Sequence, residues 1–183
     1  MSRGINGKKS FYLDDLILCI REENGFERSW RETILRAVSL VAEGLTSKNS
    51  SFTFLHNMIA LETVLLRQGD EHKIELPRRV QAFIGWSSEW DSKRYLEKIG
   101  IIYNKRCLYV HDGEIETITA EDVDFTDHLL HNVFNNILKH PKLFPSKNKL
   151  VEFSAKVTAE RLLGISPVRS KYLPRTIGLT TMN

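Results

Sequence analysis

The sequence predicts an all-α fold, an antiparallel bundle of about five to seven helices. Apolar residues recur at helical spacing along most of the chain, and capping residues and breakers punctuate it at short intervals. No two alternating segments pair up as a convincing hairpin, and there is no internal repeat. Short connections between successive helices imply antiparallel neighbours.

The elements follow in order. From Phe11 to Glu23, Leu13, Leu16, Ile17 and Ile20 share helical spacing, and Asn24-Gly25 breaks the pattern. Ser29-x-x-Glu32 reads as a capping box opening a second helix to about Gly44, with Ile34, Ala37, Val38 and Val41 on one face. Ser47–Ser50 is expected to be a loop. A third helix runs from about Phe52 to Arg67 and ends at Gln68-Gly69-Asp70. Pro77 suits the first turn of a fourth helix, which Gly85 closes. Ser87 or Ser88 caps a long fifth helix to about His111, stopped by Asp112-Gly113. Residues 115–119 alternate briefly and suggest an extended linker. Thr119 caps a helix from Ala120 to Lys139, and Ser146 caps a last one to about Leu163. One domain over residues 1–164 is therefore expected, with a flexible basic tail over 165–183. Trp86, Trp90, Phe83 and Phe134 read as core.

With 183 residues, 42% hydrophobic and 27% charged, the chain can bury a sizeable core without staples. Cys19 and Cys107 match no metal or redox spacing and read as free thiols in a reducing compartment. The basic N-terminus is followed by no long apolar run, so a cytoplasmic protein with no membrane association is expected. Net charge is +3, unevenly spread: from Lys139 onward nine basic residues face only Glu152 and Glu160, a net of +7, leaving −4 elsewhere. Such a segment attracts polyanions, and the tail residues Arg169, Lys171 and Arg175 are candidate RNA contacts. The competing reading is a solvated helix face and a loose tail.

The stretch that carries chemistry is Tyr103-Asn-Lys-Arg106-Cys107-Leu-Tyr-Val-His111-Asp-Gly113. Arginine offers a permanent charge and five donors that fit a phosphate, and histidine exchanges a proton near neutral pH. RNA supplies its own nucleophile, the 2′-hydroxyl. A base and a charge clamp therefore suffice to cleave it without metal or cofactor. Five helical residues rotate about 500°, which leaves Arg106 and His111 roughly 140° apart. One chain brings both to one phosphate only if the helix end is distorted; a two-fold dimer is the alternative. The same spacing recurs at Arg67 and His72 across a Gly-Asp loop, where it reads as accidental. His128 and His131 have helical spacing but no matching ligands on a second helix, and no metal site is expected.

The order of motifs resembles the Apea-like branch of the HEPN superfamily. Trp30-Arg-Glu-Thr-Ile-Leu-Arg-Ala37, then Asn57-Met-Ile-Ala-Leu-Glu62, then Arg78-Arg79, then Arg106-x4-His111 near a glycine follow the family's sequence of helices, over roughly Trp30 to Gly113. The resemblance implies a HEPN-like bundle and a metal-independent endoribonuclease formed across a homodimer, possible in a toxin or phage-defence setting with an antitoxin or defence-complex partner. Arg106 and His111 carry over as the catalytic pair, Glu62 as the helix glutamate, and Arg79 or Arg78 as the later arginine. Tyr103 and Cys107 flank the pair as supporting residues. Cys107 and Asp112 depart from the family pattern. Two alternatives stand beside this reading. Arg106 and His111 could simply complement a helix dipole, and the module could bind RNA or nucleotide, or dimerise, without catalysis. Glu62, set among Ala, Leu and Val, is expected to pair with Arg79 or Arg78 inside the bundle.

Overall fold

The computed structural model describes residues 13–83, 93–114 and 117–163. Seven α-helices make up these residues and no strand occurs among them: α1 (Leu13–Ile20), α2 (Arg28–Thr46), α3 (Ser50–Leu65), α4 (His72–Phe83), α5 (Lys93–Asp112), α6 (Ala120–Lys139) and α7 (Lys147–Leu162). The expected all-α bundle is what the chain forms. Gly85, Ser87, Ser88, Trp86, Trp90 and the 165–183 tail with Arg169, Lys171 and Arg175 lie outside the described residues.

The helices share one core. At its centre is α3, buried nearly all round, from Thr53 and Phe54 through Asn57, Met58 and Leu61 to Leu65. A helix covered on every side shows no single apolar stripe. The C-terminal half of α6 is equally enclosed, with every residue from Asn132 to Leu138 buried. Around this pair, α2 lies against α3, α7 against α4, and α1 against α6. Phe83, Phe144 and Phe153 pack ring to ring at 5.1–5.6 Å between centroids, closing one end of the core.

Three local expectations are corrected by the structure. Ser29 is not a cap: α2 starts at Arg28, and its N-cap Glu27 makes no side-chain capping bond. The entry is anchored from outside, by Glu27 N–H donating to Pro145 O at 2.8 Å and by the Trp30 indole donating to Phe144 O at 3.0 Å. Gly44 does not end α2, which continues to Thr46. A Cβ at Gly44 would stand 3.1 Å from His56 Cβ and 3.4 Å from Thr53 Cα, so this glycine lets α2 and α3 approach. Pro77 is sixth in α4 rather than in its first turn. The helix reaches back to His72 because Glu71 O accepts from Ile74 and Glu75 N–H at 3.0 and 2.9 Å.

The caps read at Thr119 and Ser146 do form. Thr119 and Asp122 make a full capping box at the start of α6, and Ser146 Oγ accepts from Lys149 N–H at 3.4 Å. Asn49, assigned to a loop, caps α3 through Ser51 N–H at 2.9 Å.

Candidate functional site around Arg106

Helix α5 has two unlike sides. Ile99, Ile102 and Arg106, at i, i+3 and i+7, point into the bundle, and both isoleucines are fully buried. Glu97, Ile101, Asn104, Leu108 and His111, at i, i+4, i+7, i+11 and i+14, form the exposed side. The helix continues through Asp112 and ends at Gly113, whose φ of +72° and N–H bond to Tyr109 O give a left-handed cap. With the motif inside α5, the roughly 140° separation of Arg106 and His111 stands. Arg106 faces inward and His111 faces solvent.

What Arg106 meets inside is Glu62, in the last turn of α3. Arg106 Nη2 donates to Glu62 Oε2 at 2.9 Å. Nε lies 2.9 Å from Oε1, although this second approach lacks hydrogen-bond angles. The two side chains are only 19% and 11% exposed. Burial pushes the Glu62 carboxyl above the usual carboxylate range, and the charges of Arg106 and then His72 pull it back only in part. Tyr103 and Cys107 stand one turn before Arg106 and one residue after it. Burial pushes the Tyr103 phenol up to about 12, helped by its hydrogen bond to Cys107 and by the charges of Cys107 and Glu62, and opposed by Arg106. Arg106, Glu62, Tyr103 and Cys107 therefore form one electrostatic cluster, with His72 acting on its carboxylate.

Arg79 is not part of it, and neither Arg79 nor Arg78 is the partner of Glu62 that the sequence suggested. The Arg79 side chain is 4% exposed and fully occupied elsewhere. Nη1 donates to Leu65 O at 2.7 Å and to Asp70 Oδ2 at 2.6 Å; Nη2 reaches Asp70 Oδ1 at 3.0 Å and Glu75 at 3.2 Å. It clamps the α3–α4 turn. Arg78 is exposed and meets Glu75 at 3.6 Å. The Asp70 hydrogen bonds to Arg79 hold its carboxyl below the ordinary value. The physical reason for the exchange is helical phase: Arg79 reaches the chain just past the end of α3, whereas Arg106 on α5 reaches the inner side of its last turn.

A second ion pair fixes the neighbouring side of α5. Lys105 Nζ lies 2.5 Å from Asp122 Oδ2, the carboxylate of the α6 capping box. Burial pushes Asp122 upward, but Lys105 and Thr119 outweigh it and leave the carboxyl below its ordinary range. Consecutive residues of α5 thus anchor it to α3 and to α6. The sequence reading missed Lys105 and Asp122; the one available signal was the acidic N3 position after Thr119.

The remaining candidates fall apart. His131 Nδ1 lies 2.8 Å from Asp127 O on α6, and His128 is half-buried on the same helix. Among the described residues, no three His, Cys, Asp or Glu side chains gather as a metal site requires. No described helix is long and apolar enough to cross a membrane. Comparison with protein-family models, with curated proteins and with solved structures finds no match for this chain. The class that fold and site define is an all-α bundle with a partly buried arginine–glutamate pair at the inner face of one outer helix.

Proposed function

We propose that the chain is a metal-independent endoribonuclease of the HEPN type that works as a homodimer. The observation that supports this most is the state of Arg106. Nη2 of the guanidinium donates to Glu62 Oε2 with Nε beside Oε1, and among the described residues no hydrogen bond or ion pair involves Nη1. An arginine held along one edge keeps its other donors aligned for a phosphate, and holding it in place lowers the ordering cost at each turnover. Glu62 and Arg106 are two of the positions that the family resemblance names on separate helices, and they meet, whereas Arg79 and Arg78 pair elsewhere.

His111 serves this site from a second copy of the chain. It lies on the exposed side of α5 with Ile101 and Leu108, which are 55% and 37% exposed. Packing these side chains against their symmetry mates would remove them from water and bring the His111 side chains of the two copies onto one interface. The reaction is attack of the 2′-oxygen on phosphorus, with Arg106 holding the phosphate oxygens as their charge grows. A toxin or phage-defence role, with an antitoxin or defence-complex partner, belongs to the same proposal.

The second reading is a non-catalytic module that binds RNA or nucleotide, or dimerises. The observation in its favour is that Arg106 is already paired and turned away from His111. One experiment separates the two. Pure protein is incubated with a mixed-sequence RNA oligonucleotide in EDTA, and products and light scattering are recorded. The ribonuclease reading expects a dimer and fragments ending in 2′,3′-cyclic phosphate, lost in His111→Ala. Intact RNA with the wild type, or equal cleavage by the variant, overturns it in favour of the module.

A further inference from the structure

Helix α5 carries on its outer side a stripe that is nearly symmetric about its middle. Glu97, Ile101, Asn104, Leu108 and His111 are all exposed. Their alternating steps of four and three residues keep them within about 80° of one another around the helix. Asn104 is at the centre. Glu97 and His111 lie seven residues to either side of it, and Ile101 and Leu108 lie three before and four after. One end of the stripe therefore carries a carboxylate and the other an imidazole, with an apolar side chain between each end and the centre. Among the described residues neither Glu97 nor His111 has an ion pair or a side-chain hydrogen bond.

A stripe of this kind is its own complement. A two-fold axis crossing α5 at Asn104 runs the second copy's α5 antiparallel to the first. It sets Glu97 against the partner's His111 and Ile101 against the partner's Leu108. The two Asn104 amides meet at the centre, each with donors and an acceptor to offer. Sliding the pair by one turn would set Ile101 on the partner's His111 and Leu108 on the partner's Asn104, and would leave Glu97 with nothing opposite. Charge and apolar matching thus select one register. The ground beside the stripe is open. A groove of about 700 Å³ separates α5 from α4, with Ile74 and Pro77 facing Leu96 and Gly100. A Cβ on Gly100 would meet nothing within 4 Å. Gly100 and His111 fall on the same flank of the stripe, about 20° apart, and the two-fold axis keeps like flanks together. The partner's imidazole therefore reaches Glu97 at the edge of this recess.

We infer that the Glu97–His111 stripe of α5 is a self-complementary docking surface for a second copy of the chain, in which Glu97 of each protomer holds the partner's His111. The inference deepens the homodimer of the reading above and rests on that homodimer, not on the cleavage chemistry. Glu97 is a positioning residue: its carboxylate accepts from an imidazole N–H and fixes how the ring is turned.

The test uses the full chain. Sedimentation velocity over a concentration series reads the dimer, and cleavage of the mixed-sequence RNA oligonucleotide in EDTA is recorded on the same samples. His111→Glu and Glu97→Lys should each raise the dimer dissociation constant about tenfold or more, because each removes the matched pair at both ends of the interface. The double variant, Glu97→Lys with His111→Glu, puts opposite charges back at every contact and should dimerise like the wild type. All three should keep the wild-type thermal transition, since both side chains are exposed. Single variants that dimerise as tightly as the wild type, or a double variant as weak as the single ones, overturn the inference and leave the homodimer and the ribonuclease reading standing. A wild type that follows the expected pattern yet cuts no RNA sustains the inference and ends the ribonuclease reading. A monomeric wild type removes both.

Discussion

Nη2 of Arg106 and Oε2 of Glu62 stand 2.9 Å apart although the residues are 44 positions apart in the chain. This pair joins an outer helix to the central one, so the arginine proposed to hold a phosphate also ties two helices together. Arg106 is consequently not a dispensable polar group at a helix end, which is how its position in the sequence reads.

Removing either member of the pair leaves the other charge poorly solvated. Glu62→Ala and Arg106→Ala should each cost about 1–3 kcal/mol in urea unfolding. Arg79→Ala should cost more, about 3–5 kcal/mol, because its guanidinium is buried and its carboxylate partner is nearly so. An order with Arg79 the least costly would contradict the roles assigned to the two arginines.

The cluster has a readout independent of activity. Tyr103 should ionise at about 12 rather than at the ordinary value near 10. Ultraviolet difference titration of wild type against Tyr103→Phe isolates this phenol. Glu62→Gln should lower its midpoint, since one of the charges that raise it is gone. A Tyr103 that titrates at the ordinary value would place it outside the cluster.

Acid stability should depend on the α3–α4 turn. The folded carboxyl of Asp70 titrates below its unfolded value, so its ionised form favours the native state. That contribution is complete above about pH 4, the unfolded value for an aspartate, and disappears as pH falls through the lower folded value. Asp70→Asn should flatten the stability profile in this acid window while also lowering stability at neutral pH. An unchanged acid slope would show that Asp70 titrates alike in both states.

Gly44→Ala tests the closest crossing of α2 and α3. Alanine gains about 1 kcal/mol of helix propensity over glycine, but its Cβ would press on Thr53 backbone and His56. Overpacking of this kind costs about 1–3 kcal/mol, so a modest net destabilisation is expected in thermal unfolding. A stabilised variant would mean that the two helices separate easily.

Much of the fold was legible because it is local chemistry. The apolar spacing of Ile34 and Ala37, the caps at Thr119 and Ser146, and the stop at Gly113 act over three or four residues, and the chain obeys them. The signals that misled were also local: at Ser29 and Gly44 contacts with other segments set the helix entry or took the residue for packing, and at Pro77 backbone bonds to Glu71 O carry α4 back to His72. The sequence by itself determined that this chain is helical and where its arginine and histidine lie along α5, including the roughly 140° between them. Only the tertiary structure decided which way each faces and what it meets. Glu62 could have taken Arg78, Arg79 or Arg106; the rotation of α5, held by Lys105 on Asp122, chose Arg106 and left Arg79 to the turn. Spacing along a helix fixes relative angles, but the absolute direction of a side chain depends on how the whole helix is docked, and that is set by the sum of its packing and ion-pair contacts.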